Sequence, residues 1–285
     1  MMISWRSLFY FFTIHVLSTL YTLFESGCIV RHDPSLFLTF GLALCRNLLL
    51  MNGIRFLCQK KPRMDASQPV ETYPYEFGFH FLGTTFLDSV AVHWITNVLR
   101  QQHPSFFQNK EIFSLLFLPR FILRSFVFEM IFDGFHYTMH RLFHVQPLLY
   151  QYFHKHHHQH HHPDVITTFY HHPIDLMATN LLPLYLTVQL CTGFITNLVE
   201  WRLLLFYKIY IEMCGHLGRE ISPTSGFTQC VWLPRILGIQ LYSEDHEAHH
   251  SLNHGNYAKR FSFWDRCMGT YKPGLKRDRI KRKRS

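Results

Sequence analysis

Several familiar signatures are missing from this chain. Its 285 residues contain no GxGxxG and no GxxxxGK[ST], so no built-in dinucleotide or nucleoside triphosphate site is expected. Cysteine is sparse and unpaired in pattern: Cys28, Cys45, Cys58, Cys191, Cys214, Cys230 and Cys267 are odd in number, mostly within apolar runs, and form no CxxC. This pattern argues against a disulfide framework or a thiolate zinc site. Acidic residues are also short, 19 against 28 Lys and Arg. The surplus of nine positive charges suits an anionic membrane surface or nucleic acid as partner. Where the apolar runs lie decides between those two.

Two stretches lack charge altogether, Ser7 to Phe24 and Leu176 to Val199, and each is long enough to cross a hydrocarbon core as helix. Pro34 to Cys58 is broken by Arg46 and, near its end, Arg55, Phe77 to Leu99 only by Asp88, and Leu203 to Met213 by Lys208 and Glu212. Ile112 to Phe132 is mostly apolar but carries Arg120, Arg124 and Glu129. The first run has no basic leader apart from Arg6 and no small-residue cleavage site, so it is expected to be a retained signal anchor. The fold predicted is all-α: a polytopic membrane bundle of about four to six transmembrane helices arranged as hairpins, with a cytosolic histidine-rich helical cap.

Histidine is abundant, 22 residues or roughly three times an ordinary share. The stretch FHKHHHQHHHP, Phe153 to Pro163, reads alone as a loosely chelating tract. Spacing elsewhere argues for an ordered site. In DGFHYTMHRLFH, His136, His140 and His144 recur at steps of four, one face of a helix that leaves the apolar segment before it. His154, His157 and His158 have the spacing HxxHH, and the same spacing returns in HEAHH as His246, His249 and His250. A loose tract has no need of a distant copy. His140, His144 and the two HxxHH sets supply eight imidazoles, and because a structural zinc takes four ligands and a catalytic zinc three, at least two metals are expected. Neutral imidazole suits iron, zinc, copper or nickel, and ligand type leaves that choice open. His136, His156, His160, His161 and His162 are surplus to this count.

The order Asp133, Tyr137, His140, Arg141, His144, then His154 to His158, His172-Pro173, Gly215-His216 with Gly218 and Glu220, His246 to His250, and Asn256-Tyr257 with Trp264-Asp265 and Gly269-Thr270 resembles the fatty acid hydroxylase/sterol desaturase superfamily. The likeness covers roughly Phe126 to Tyr271. It implies an endoplasmic-reticulum membrane oxygenase with a histidine-rich di-iron centre, that is, two Fe ions and O₂. Carried over residue by residue, the metal ligands are His140, His144, His154, His157, His158, His246, His249 and His250, with His216 as a ninth and His172 as a tenth. For His216 the plainer alternative is a helix-end histidine bonded to Glu220, and for His172 a turn residue before proline. Asp175 departs from the Glu common after the His-Pro pair. Asp133, Tyr137, Glu220 and Asp265 are expected to orient imidazoles, since ligating histidines usually donate their other N–H to an oxygen.

Three regions follow: an N-terminal transmembrane region at 1–125, the catalytic domain at 126–272 and a basic cytosolic tail at 273–285. If the clusters form one site, the forty residues from Ile174 to Met213 must cross the membrane twice, and they have roughly the ~60 Å of helix required. Thr192 to Asn197 is the natural turn. The same parity puts both termini and the site on one side, cytosolic by the basic residues Lys60, Lys61, Arg63 and the tail KRDRIKRKRS. Lys281 and Lys283 also resemble a dilysine retrieval signal. His80, Asp88 and His93, within an apolar run, either touch a substrate's polar end or pair among the helices.

The function expected is O₂-dependent hydroxylation or desaturation of a membrane lipid, whether sterol, sphingolipid or fatty acid. No flavin, nicotinamide or HPGG haem signature supplies electrons, so an external donor is implied, by the resemblance cytochrome b5 or its reductase. No nucleic-acid partner is expected. The alternatives are a histidine-rich membrane zinc transporter or sensor, which would want ligands inside the membrane helices, and an inactive lipid-binding relative.

Overall fold

The computed structural model describes residues 5–32, 35–64, 76–103, 105–106, 114–160, 163–195, 197–219 and 226–274. Four long helices come first: α1 (Trp5–His32), α2 (Leu36–Cys58), α3 (Glu76–Gln102) and α4 (Phe117–Val145). Shorter pieces follow, α5 (Pro147–Leu149), α6 (Pro173–Leu176) and α7 (Leu182–Leu190), then the long α8 (Leu198–Gly215) and the small α9 (Trp232–Ile236), α10 (Ser243–Leu252) and α11 (Phe263–Cys267). Among the described residues no strand forms, only the isolated bridges Arg63 to Arg219 and Gln240 to Phe261. The all-α expectation holds.

Local chemistry sets the helix ends. Ser35 accepts the N–H of Leu38 at 3.1 Å to open α2, and Asn197 accepts that of Glu200 at 2.9 Å to open α8. Asp245 reaches back to the Tyr242 N–H at 3.0 Å, and α10 ends at Asn253, which is left-handed at φ 51°. The expected turn at Thr192 to Asn197 is present as a 3₁₀ turn, Thr192–Phe194, followed by the Asn197 cap.

α8 is the pillar of the molecule: every residue from Leu198 to Cys214 is buried. α1 packs on α8, α2 on α3, and α4 on α7. The charges of α8 are therefore held by partners rather than by water. Arg124 reaches Glu200 at 3.0 Å, Arg202 meets Glu25 at 3.3 Å, and Lys208 lies 3.2 Å from Glu212 and 3.8 Å from Asp88. Of the three ionisable residues noted inside the α3 run, Asp88 thus pairs with another helix, and His93 bonds Asn97 one turn on, at 3.1 Å. His80 instead packs edge-on against Tyr170.

Outward, α1 to α3 present Phe9, Phe12, Phe37, Phe56, Phe79 and Trp94, all exposed. Apolar surface on this scale marks a partner that is not water, here the bilayer. Among the described helices, α1 over Leu8–Val30 and α2 over Leu36–Cys58 are long and apolar enough to cross it by length and composition. The remaining runs are interrupted by charge or by backbone irregularity: α4 and α8 carry the ion pairs above, and a π-turn at Met177–Leu181 precedes α7. The tail at 275–285, with Lys281 and Lys283, lies outside the described residues, as do Glu220, His161 and His162.

Candidate metal centre

Five segments converge on one buried place. α4 delivers His136, His140 and His144 from its C-terminal turns. A π-turn at Tyr150–His154, closed by the Lys155 N–H to the Tyr150 carbonyl at 2.8 Å, delivers His154. A 3₁₀ turn at His157–Gln159 delivers His157 and His158, the C-cap of α8 is His216, and α10 carries His246, His249 and His250. Widened π-turns of this kind recur at functional sites because they re-aim a side chain without ending the helix.

The imidazoles sort into two adjoining groups. The ligand nitrogens of His140, His144, His154, His158 and His249 all lie within 4.8 Å of one another, and so do those of His157, His216 and His250. His246 joins the second group, its Nε2 3.2 Å from Nε2 of His216. The two HxxHH motifs divide in opposite senses. His154 and His158, four apart, serve the first group while His157 serves the second; His246 and His250 serve the second while His249 serves the first. Each motif therefore stitches both groups together.

Backbone and carboxylate oxygens fix the tautomers. Nδ1–H of His140 donates to the Tyr257 carbonyl at 2.8 Å, that of His249 to the Gly255 carbonyl at 2.7 Å, and that of His216 to the Glu212 carbonyl at 2.8 Å. His154 donates to Asp175 Oδ1 at 2.8 Å, and His144 to the Asn253 carbonyl. With the proton on Nδ1, each Nε2 carries a lone pair. Yet Nε2 of His154 stands 3.1 Å from Nε2 of His140 and 2.9 Å from Nε2 of His144. Two lone pairs cannot hydrogen-bond, so a shared cation is the arrangement that satisfies them. The residues present therefore fit a metal.

Electrostatics agree. Burial, reinforced by neighbouring imidazoles, lowers the pKa values of His140, His157, His158, His246 and His250 well below the ordinary histidine value, and takes that of His249 to about 3. Burial likewise takes His216 to about 3. Such rings are neutral at physiological pH, the state a metal needs. Asp175 is fully buried; burial alone would raise its pKa, but the imidazoles of His154 and His171 hold it below the ordinary carboxylate range.

Nine of the ten histidines read from the sequence thus come together. His172 does not: it caps α6, accepting the Ile174 N–H on Nδ1 at 3.2 Å, with its ring against Phe153. Its neighbour His171, which sequence reasoning passed over, lies in the site instead. That ring stacks on His157 at 4.1 Å and donates to Asp175 Oδ2 at 3.1 Å. His136 bonds the Thr179 carbonyl through Nδ1. His156 and His160 surround Tyr170, whose carbonyl faces His157 Nδ1 at 3.4 Å.

Asp133, Tyr137 and Asp265 act one step further out than expected. Asp133 accepts the backbone N–H groups of Lys259, Arg260 and Phe261 at 2.7, 2.8 and 2.9 Å. Asp265 accepts those of Tyr257 and Ala258, both at 2.9 Å, and Tyr137 bonds Thr270 at 3.1 Å. They hold the 255–261 loop, and the loop's carbonyls hold the imidazoles. Gly255 makes this possible: at φ 82° it turns where a side chain would strike the Thr270 carbonyl at 2.6 Å. Asp133→Ala leaves two buried N–H groups and one part-buried one unpaired, at about 1–3 kcal/mol for each buried group. The expected result is a protein several degrees or more less stable in detergent, checked by thermal unfolding; an unchanged midpoint contradicts this role.

The fold and centre define a class: a helical membrane protein that gathers buried neutral imidazoles into a two-part metal-binding site. The fatty acid hydroxylase family profile matches residues 125–270, and the chain belongs to that family. It is similar to the fatty acid hydroxylase vlmA of a Lecanicillium species, 32% identical over 153 residues, covering 50% of this chain and 40% of that one. An alternative squalene epoxidase of Phaeodactylum tricornutum is 29% identical over 188 residues, 64% of this chain and 47% of the other. Methylsterol monooxygenase 1 of Rattus norvegicus is 29% identical over 141 residues, 48% and 43%. These matches span less than half the length of each of those relatives. No solved structure matches the chain.

Proposed function

We propose that the protein is a membrane-bound, O₂-dependent lipid oxygenase that hydroxylates or desaturates one carbon of a sterol, sphingoid or fatty acyl substrate. The observation that carries this reading is the pair of imidazole groups whose lone pairs face one another within a family of lipid hydroxylases. His140, His144, His154, His158 and His249 would hold one iron, and His157, His216, His246 and His250 the other. Iron bound there would supply the O₂ activation that no side chain can supply. The chain's own part is to keep each ring neutral and aimed, through the Tyr257, Gly255, Asn253 and Glu212 carbonyls and Asp175, and to exclude bulk water by burial. Electrons must come from outside, and a cytochrome b5 or its reductase is the donor proposed. The basic residues of the chain would steer an acidic partner of that kind.

The topology proposed has four to six crossings in the endoplasmic-reticulum membrane, with the site, the N-terminal segment and the basic tail cytosolic. Tags at each terminus and between Tyr150 and Asp164 are expected to react from the cytosol after selective permeabilisation, and one near Thr192 is not. A lumenal C-terminal tag beside a cytosolic central one contradicts the arrangement. The reaction is tested by comparing lipid extracts of cells with and without the intact gene. One lipid class should gain an oxygen or lose a hydrogen pair, dependent on O₂, and His140→Ala should abolish the change while leaving the protein in the membrane. An unchanged lipidome with altered cellular zinc overturns the reading.

A further inference from the structure

A half-open cleft lies between α8 and α10, and His216 and His246 of the second imidazole group are part of its lining. Ile211, Cys214 and Leu241 make apolar walls, and Lys259 is the one basic side chain besides the histidines on its lining. The cavity volume of about 30 Å³ holds a few atoms and no acyl chain. A lipid could place only one end there.

Lys259 is held at both ends. Its backbone N–H goes to Asp133 at 2.7 Å, and its ammonium donates to Asn180 Oδ1 at 2.9 Å and lies 3.4 Å from Glu212 Oε1. Glu212 is shared with Lys208 and Arg260, so it does not saturate the ammonium. An ammonium has three donors; Asn180 and Glu212 take two. Lys259 lines the cleft, which makes an oxygen placed there a candidate partner for the third donor. A hydrocarbon end would leave that donor desolvated and unmet, whereas an oxygen would satisfy it.

We propose that this cleft receives the reacting end of the lipid, and that Lys259 is a specificity-determining residue that hydrogen-bonds an oxygen, hydroxyl or carbonyl, carried close to the carbon to be oxidised. The substrate class is then an oxygenated lipid rather than a plain hydrocarbon. Oxidation of the lipid's end rests on the oxygenase reading; its binding beside Lys259 does not.

The test uses the purified full-length protein in detergent and two radiolabelled probes of equal chain length, octadecan-1-ol and octadecane. The unaltered protein should bind the alcohol roughly tenfold or more tightly than the alkane, the scale of a hydrogen bond to a charged donor. Lys259→Met should reduce that preference to less than about twofold, leaving octadecane binding and metal content unchanged, and Lys259→Arg should restore most of it. Ser243→Trp, which puts a bulky ring on the cleft lining and spares Lys259, should weaken binding of both probes. A preference that survives Lys259→Met, or normal binding of both probes by Ser243→Trp, overturns the proposal. If Lys259→Met does not fold, the Lys259→Arg and Ser243→Trp proteins decide it. Lysine-dependent alcohol binding in a protein that oxidises no lipid would uphold this inference and defeat the oxygenase reading.

Discussion

His249→Ala and His158→Ala proteins are expected to lose bound metal and to lose more than about a hundredfold in lipid oxidation, while His160→Ala keeps both. The scale follows from position: changing a residue one step behind a ligand already costs roughly 10–100-fold. His158 and His249 face each other at 3.2 Å within the first group, and His249 belongs to α10 while His158 follows the π-turn. Removing either opens the link between two distant segments. His160 packs on Phe77 and Tyr170 and belongs to neither group of ligand nitrogens. Elemental analysis of the three membrane-extracted proteins beside an activity assay checks the result. Equal losses from all three would return the histidine-rich stretch to a loose chelating tract.

Asp175→Asn is expected to weaken metal affinity by about 10–100-fold with the fold intact. The buried carboxylate accepts from two imidazoles at once, His154 on Oδ1 and His171 on Oδ2. An amide has one accepting oxygen, so one of these rings must meet an NH₂ group and turn over or change tautomer. His154 is the ring whose Nε2 contacts those of His140, His144 and His158, so its misalignment spreads across the first group. Chelator competition measures the change, and Asp175→Glu should retain a large part of the affinity. A fully retained affinity in Asp175→Asn would mean that the tautomers are set elsewhere.

The helical period made much of the centre legible. Histidines four apart on α4, and the two HxxHH spacings, name residues that lie on one side of a turn, and eight of these plus His216 do meet. What spacing could not reveal is how the rings are shared out, because the π-turn at Tyr150–His154 alters the period and each HxxHH divides between two groups. The oxygens that aim the rings were invisible for a different reason. Tyr257, Gly255, Asn253 and Glu212 act through backbone carbonyls, which every residue has. Asp175 was noticed as a departure from pattern; its i, i+4 relation to His171 was the available signal. His172 enters as a ligand through the resemblance alone; the plainer alternative, a turn residue before proline, is what the structure shows, with the proline starting α6 and His172 as its cap. Asp133 and Asp265 reach the imidazoles through the loop they anchor, a route that spacing does not reveal, since loop anchoring depends on where the chain returns, more than a hundred residues later in the case of Asp133.

The most direct measurement is the metal content of the full-length protein, extracted from membranes without added metal and freed of loosely held ions. About two iron ions per chain, retained through dilute chelator and lost together in His154→Ala, is the result that the paired lone-pair geometry predicts. A content near zero, or metal that washes out of the unaltered protein as readily as out of His154→Ala, would contradict a built two-metal centre.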